Sequence, residues 1–191
     1  MKYFSRFTII TTLLTYILIF VGGLVRVSGA GMGCPDWPKC FGRWIPPTHL
    51  DQLPAHIDPA QFNIVLAWIE YSNRLVGVII GLMVTATLIL AYRYYKNEKK
   101  VLTPIFLSFI LVGLVGWQGS QVVGTVLNPV TVSLHMVLAL FAISFLIIGT
   151  QNAYYLTYPT DEKDSYYPCK MKYGFWAMGI VLFLEIILGT E

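Results

Sequence analysis

Residues 101–160, VLTPIFLSFILVGLVGWQGSQVVGTVLNPVTVSLHMVLALFAISFLIIGTQNAYYLTYPT, contain no Lys, Arg, Asp or Glu in sixty positions. A helix needs about 20 apolar residues to cross the hydrocarbon core of a bilayer, so this stretch is too long for one span. Asn128-Pro129 interrupts it near the middle, and a proline disfavours helical backbone at the residue before it. The stretch therefore predicts two membrane spans, about 104–126 and 130–152.

The overall composition agrees with a membrane protein. Of 191 residues, 56% are hydrophobic and 12% are charged, whereas about a quarter of the residues in a soluble domain carry charge. This content excludes a soluble globular domain, a disordered segment, a nucleic-acid-binding protein and a secreted disulfide scaffold. The net charge of +3 is too small to indicate a polyanionic partner.

Three more apolar stretches lie at about 7–27, 64–92 and 173–191. The first also resembles a signal peptide, because basic residues precede it and small residues follow it, but its length and the later spans favour a membrane helix. The predicted fold class is all-α. We expect a polytopic four-helix transmembrane bundle with a fifth span at the C-terminus and a long outer loop, 28–63, between spans one and two.

The basic residues predict the orientation, because Lys and Arg are enriched in the cytoplasmic segments of membrane proteins. With the N-terminus inside, nine basic residues lie in inner segments and three in outer segments. The nine are Lys2, Arg6, Arg93, Lys96, Lys99, Lys100, Lys163, Lys170 and Lys172, and the three are Arg26, Lys39 and Arg43. We therefore expect the N-terminus inside and the 28–63 loop outside.

This orientation separates the cysteines. Cys34 and Cys40 end the outer-loop segment CPDWPKC, where an oxidising compartment permits a disulfide that closes a short, proline-stiffened loop. Such a pair is a structural staple or, alternatively, a redox-active pair. Cys169 lies in the inner linker and is expected to remain a free thiol.

Three polar residues of span two lie on one helix face, since Glu70, Asn73 and Arg74 occupy positions i, i+3 and i+4. A charge at mid-bilayer costs on the order of 2.5 to 3.5 kcal/mol and usually serves a function. Glu70 and His135 each lie six residues into their span, roughly 9 Å from its outer end at 1.5 Å per residue. The sequence therefore predicts that they lie at a similar depth.

Other spans bring polar residues to the same level. Gln121 of span three lies at about the depth of Glu70 and His135, and Gln118 lies one turn deeper. Arg26 ends span one at the outer surface. Each residue also has a structural interpretation: the Glu–Arg pair can hold helices together, and the histidine and glutamines can form hydrogen bonds between helices. The nearby aromatic residues are interfacial anchors or walls of a flat apolar pocket; they are Trp68, Tyr71 and Trp117.

A buried histidine, two arginines and aromatic walls among four helices suit a haem. Imidazole ligates iron, and arginines near the outer surface can pair with propionates. On this interpretation His135 binds the iron, Arg26 and Arg74 bind the propionates, and Asn73 and Gln121 complete the haem-binding set. Glu70 would be an acid or base beside the ring.

Three motifs resemble one family, the haem A synthases. Residues 22–31, GGLVRVSGAG, followed by CPDWPKC resemble the exit of the family's first span and its outer loop. The segment from Glu70 to Arg74 resembles the second-span motif of Glu, two variable residues, His and Arg. Asn128-Pro129 with His135 resembles the entry of the fourth span. The glycine-rich exit joined to the cysteine loop is the most specific of these matches.

The resemblance implies a membrane oxidase that converts haem O to haem A, for cytochrome oxidase assembly, by oxidising the C8 methyl group of the ring to a formyl group. The family has two similar four-helix halves, of which the first holds the substrate and the second a haem b. Glu70 matches the carboxylate required for the chemistry, and His135 matches a haem ligand. Cys34 and Cys40 match the outer-loop pair.

The chain departs from the family pattern in two ways. Asn73 stands where the motif has a second histidine, so the other axial position is open or is filled from the loop by His49 or His56. Only one half is present: 1–152 is the haem-binding half, 153–172 an inner linker, and 173–191 the start of a second half. We expect truncation, rather than a compact form that pairs with another copy, and therefore expect the isolated chain to be inactive.

The expected partners are haem O, membrane lipid, a haem O synthase and an electron-transfer protein, with a homo-oligomer as a further expectation and no nucleic acid. A bacterial cell membrane is favoured over the mitochondrial inner membrane. Two rival functions are a non-catalytic b-type membrane cytochrome and a haem carrier or assembly factor. Product analysis separates them, because only the enzyme changes a substituent of the ring.

Overall fold

The structure is a computed structural model that describes residues 1–55, 57, 59 and 62–158. The described residues form four long helices, α1 (Lys2–Val27), α2 (Ile64–Tyr95), α3 (Lys99–Gly124) and α4 (Pro129–Thr157), and two short 3₁₀ helices, Ala30–Met32 and Leu50–Gln52. All four long helices are long and apolar enough to cross a membrane. The prediction of an all-α, four-span membrane bundle is confirmed. The fifth span at 173–191, the linker beyond 158, Cys169 and His56 lie outside the described residues.

Each helix is longer than the predicted span, and always at the same end of the bundle. α1 begins five residues early, α2 ends three late, α3 begins five early and α4 ends five late. In α1, α2 and α3 the additional residues include Lys or Arg, which are good helix formers whose long side chains reach water from the last turn. The additional residues of α4, 153–157, include neither. The helices therefore project beyond the apolar core at this end.

Two asparagines fix the helix starts at the opposite end. The Asn63 side chain accepts hydrogen bonds from the backbone N–H groups of Val65 and Leu66, at 3.0 and 3.2 Å. Asn128 accepts from Val130 N–H at 3.0 Å, and Pro129 occupies the first helical position. Asparagine is a favoured N-cap and proline is favoured directly after it, so the sequence determines both starts locally.

Pro104 within α3 is compensated by the neighbouring helix. A proline has no N–H group, so the carbonyl of Lys100, four residues earlier, loses its helical donor. The side-chain amide of Asn152 on α4 donates to that carbonyl at 2.7 Å. The close approach of α3 and α4 here also requires Gly149, where a methyl group would lie 2.5 Å from Cγ1 of Ile105.

The helices pack in a ring in which α1 and α3 each contact α2 and α4, so α2 lies diagonally opposite α4. We call the end with the N-terminus and the α2–α3 turn the N-terminal end, and the end with residues 28–63 and the α3–α4 turn the loop end. Apolar clusters fill the N-terminal end and the middle. A third cluster, at the loop end, joins the outer loop to α2.

Candidate functional site

The outer loop folds back onto the first turns of α2. Gly33 touches the α2 backbone so closely that a methyl group in its place would overlap the carbonyl of Leu66. Directly after it, Cys34 and Cys40 form a disulfide bond, as expected, and both are buried, with exposures of 0% and 1%. Phe41 and Ala67 complete the cluster around the disulfide. The loop is therefore an integral part of the bundle.

The carboxylate of Asp36 shapes the end of this loop. Its two oxygens accept hydrogen bonds from the N–H groups of Phe41, at 2.6 Å, and Gly42, at 2.8 Å. Both residues have left-handed backbone, with φ of 55° and 74°. Successive N–H groups in such a turn converge on an anion, so Asp36 supports the turn that returns the chain to Cys40.

Glu70 joins the loop to the membrane helix. Its side chain is buried, with 5% of the residue exposed. One carboxylate oxygen, Oε2, accepts a hydrogen bond from the backbone N–H of Cys34 at 2.7 Å. The other, Oε1, is paired with the guanidinium of Arg74 one turn along α2. Both oxygens of this buried carboxylate are thus engaged.

Arg74 binds the same loop through its guanidinium group. Its Nη1 donates to the carbonyl oxygens of Asp36 and Lys39, at 2.7 and 3.1 Å. Its Nη2 donates to the carbonyl of Cys34 at 3.2 Å as well as to Glu70. Of the five N–H groups of an arginine, the four on the terminal nitrogens are therefore used.

Asn73 and His135 lie on diagonally opposed helices, α2 and α4. In the described part of the chain, three buried side-chain polar atoms have no hydrogen-bond partner. They are Oδ1 of Asn73, Nδ1 of His135 and Oγ of Ser5. Buried polar atoms are usually partnered, so each of these two residues is a candidate for contact with a ligand. The His135 ring also lies close to Gly119 of α3, where a methyl group would be 3.6 Å from its Cε1.

The other candidates lie in different surroundings. Gln118 is buried, with 4% exposed, and its amide lies 3.5 Å from the carbonyl of Thr131. Gln121 is exposed and contacts the Ser120 hydroxyl of its own helix at 3.4 Å, so the structure does not bring it into the buried set. Arg26 is half-buried in the last turn of α1.

The loop histidine and the aromatic candidates also differ in burial. His49 is exposed, and Trp117 is 61% exposed, which fits an interfacial anchor rather than a pocket wall. Trp68 and Tyr71 pack edge to face, with ring centroids 5.8 Å apart. Tyr71 packs against the disulfide cluster.

Sequence reasoning did not identify Gly33 and Asp36, although both are essential to the loop geometry. A glycine directly before a loop cysteine, and an aspartate five residues before a Phe-Gly pair, are the signals that could have found them. It also did not predict that Arg74 binds backbone carbonyls. Such carbonyls have no side-chain signature, so this contact is visible only in three dimensions.

Metal binding by protein side chains alone is not supported in the described ranges, which hold no group of three or more His, Cys, Asp and Glu residues able to bind a metal ion. The fold and the site together define a multi-pass membrane protein in which a disulfide-closed loop packs on the second helix.

The comparisons with known proteins agree with this class. The model of the COX15-CtaA family, described as cytochrome oxidase assembly protein, matches residues 5–191, and the chain belongs to this family. The chain is 26% identical over 193 residues to proteins named heme A synthase from Bacillus cereus (strain 03BB102) and Bacillus anthracis (strain A0248). The match covers 100% of this chain and 57% of each relative. No solved structure matches the chain. The resemblance to haem A synthases is thus confirmed at the level of the family.

Replacement of Arg74 by alanine is expected to expose the disulfide. Three loop carbonyls and one carboxylate would lose their partner, at a cost of about 1–3 kcal/mol for each group left buried and unsatisfied. A tenfold change corresponds to about 1.4 kcal/mol. We therefore expect a water-soluble dithiol to reduce the disulfide at least about tenfold faster in Arg74→Ala than in the parent protein. The released thiols are alkylated and counted by mass spectrometry in a Cys169→Ser background.

The matched control is Arg93→Ala, which removes an exposed arginine from the last turn of the same helix. Its reduction rate should equal that of the parent protein. Equal rates in the parent and in Arg74→Ala would show that Arg74 does not hold the loop.

Proposed function

We propose that the chain is the first membrane half of a haem A synthase-like oxidase that converts haem O to haem A. The C8 methyl group is oxidised to a hydroxymethyl and then to a formyl group. Each step releases two electrons and two protons, and the first step consumes one water molecule, which supplies the oxygen. The observation that carries this proposal is that Asn73, on α2, and His135, on the diagonally opposed α4, each have a buried side-chain atom without a hydrogen-bond partner. Family membership supports it.

In this proposal His135 ligates the iron of the substrate, because its imidazole has a buried nitrogen without a partner. Asn73 occupies the position of the second histidine in the motif and contributes an amide, which is a poorer iron ligand than imidazole. The substrate iron then has one imidazole ligand. Arg26, at the end of α1, and Nε–H of Arg74 are the proposed propionate partners, and Gln121 would join the site only after its side chain turns inward.

The role proposed for Glu70 depends on the loop. Its carboxylate already accepts the Cys34 N–H and pairs with Arg74, so it can accept a proton from the reacting methyl or hydroxymethyl group only when one of these contacts loosens. The loop would thereby position the carboxylate and exclude water from it. The electrons would leave through the haem b expected in the second half of the protein, towards an electron-transfer partner.

The proposed setting is a bacterial cell membrane, with the N-terminus inside and the disulfide loop outside. Nine basic residues on the inner side against three on the outer side support this orientation. A haem O synthase would supply the substrate.

His135→Ala is expected to lower the haem content of the purified chain to about a tenth or less, because the iron loses its protein ligand. Haem is measured by the pyridine haemochrome assay after reconstitution with haem O. His49→Ala, which changes an exposed loop histidine, is the control and should bind as much haem as the parent. Undiminished binding by His135→Ala would refute the ligand assignment.

Glu70→Gln is expected to bind haem O normally and to form haem A about 10²- to 10⁴-fold more slowly, the usual contribution of a general acid or base. The amide oxygen can still accept the Cys34 N–H, but the side chain can no longer take a proton from the substrate. Haem O, hydroxylated haem and haem A are separated by chromatography from membranes in which the parent protein forms haem A, with any partner half co-expressed.

Arg74→Ala is the matched comparison, since it loosens the loop and leaves the carboxylate. If both variants lose activity equally and show the same faster disulfide reduction, Glu70 acts through the loop. Normal haem A output from Glu70→Gln would remove Glu70 from the chemistry altogether.

A further inference from the structure

A groove between α1 and α2 has no role in the site proposed so far. Its volume is about 570 Å³, and α1 contributes Leu18 and Val21 to one wall. The other wall is a face of α2 that begins at Val65 and ends at Val76. Val76 lies eleven residues after Val65, so this face is about 16 Å long at 1.5 Å per residue. The groove is therefore long and narrow, and it starts at the loop end of the bundle.

The chemistry of the wall restricts the ligand. Apart from Ser72 and Asn73, the residues that line the groove are apolar, and none is charged. Val65 and Val76 are 61% and 43% exposed, so the groove opens sideways towards the bilayer. An ion or a compact polar ligand would find no partner here. A flexible hydrocarbon chain with one polar group would fit both the shape and the wall.

One residue, Asn73, belongs both to the groove and to the proposed haem site. Asn73 lines the groove and also carries one of the two unpartnered buried atoms, Oδ1. A molecule that contacts this amide from the haem site can therefore extend a substituent directly into the groove. Oδ1 of Asn73 is a hydrogen-bond acceptor without a donor. It therefore favours a substituent that carries a hydroxyl group near the ring.

We propose that the groove binds the isoprenoid tail of the haem substrate, with the hydroxyl of that tail donating to Asn73. This inference rests on the proposed function. Haem O differs from haem b by a hydroxyethylfarnesyl group, an apolar chain with one hydroxyl next to the ring. A cavity of about 150 Å³ holds the six carbons of benzene, so fifteen farnesyl carbons need roughly 400 Å³, which the groove provides. A tail held here fixes one orientation of the ring, so the same methyl group always faces the reacting side.

The test compares two haems that differ only at this substituent. The purified chain, freed of haem in detergent, is titrated with haem b and with haem O, and binding is followed by the absorbance of the haem. We expect haem O to bind about tenfold more tightly than haem b, because packing in a preformed groove adds contacts that a detergent micelle does not.

Val76→Trp fills the groove and should remove this preference, so that the two dissociation constants agree within about twofold, with haem b binding unchanged. Val78→Trp is the matched control, because Val78 lies on the same helix, is 60% exposed and does not line the groove. It should keep the full preference for haem O. Val65→Trp fills the other end and replaces Val76→Trp if that variant does not fold.

The possible outcomes separate the two proposals. If the parent chain binds both haems equally well, or if Val76→Trp and Val65→Trp keep the preference, the groove does not hold the tail, and a lipid acyl chain is its occupant; the haem site itself would stand. If neither haem binds, the proposed function fails and the tail site fails with it.

Discussion

The ion pair of Glu70 and Arg74 is the interaction on which the loop end of this protein depends. It places two opposite charges inside a membrane helix, where neither would be stable alone, and connects both to the backbone of the outer loop. The disulfide closes the loop, and the pair attaches the closed loop to α2. Without the pair, the carbonyls of the loop would face an apolar helix without donors.

This arrangement separates two functions that lie one residue apart on α2. Glu70 and Arg74 point to the loop, whereas the neighbouring Asn73 carries an unpartnered atom and lines the groove beside α1. The proposed substrate would lie between Asn73 and His135, directly below a cap whose position depends on the disulfide and the ion pair. Any movement of the loop therefore changes the surroundings of Glu70, the only carboxylate on α2.

Much of the fold could be predicted from the sequence because membrane spans obey a simple rule of length and charge. Asn128-Pro129 and the charge-free stretch from Val101 placed the span limits within five residues of the observed helix ends. The disulfide and the resemblance to the family followed from the CPDWPKC segment. The helices extended further because a lysine or arginine ends an apolar run but not a helix, as at Arg93 in α2.

The candidate site was harder to predict, because depth along a helix says nothing about which way a side chain turns. Gln121 is exposed, and Gln118, one turn away, is the buried residue. Arg74 was expected to face a propionate, and it binds the loop carbonyls instead, with Nε–H as its remaining group for a propionate. These outcomes depend on helix rotation and on backbone acceptors, which sequence spacing does not encode.

In the proposed site one haem lies between Asn73 and His135. The electron paramagnetic resonance spectrum of the ferric haem complex tests this placement when the parent chain is compared with Asn73→His. We expect a high-spin spectrum for the parent, with His135 as the one imidazole ligand, and a low-spin, two-imidazole spectrum for the variant. An identical spectrum in both proteins would show that Asn73 and His135 do not face the same iron.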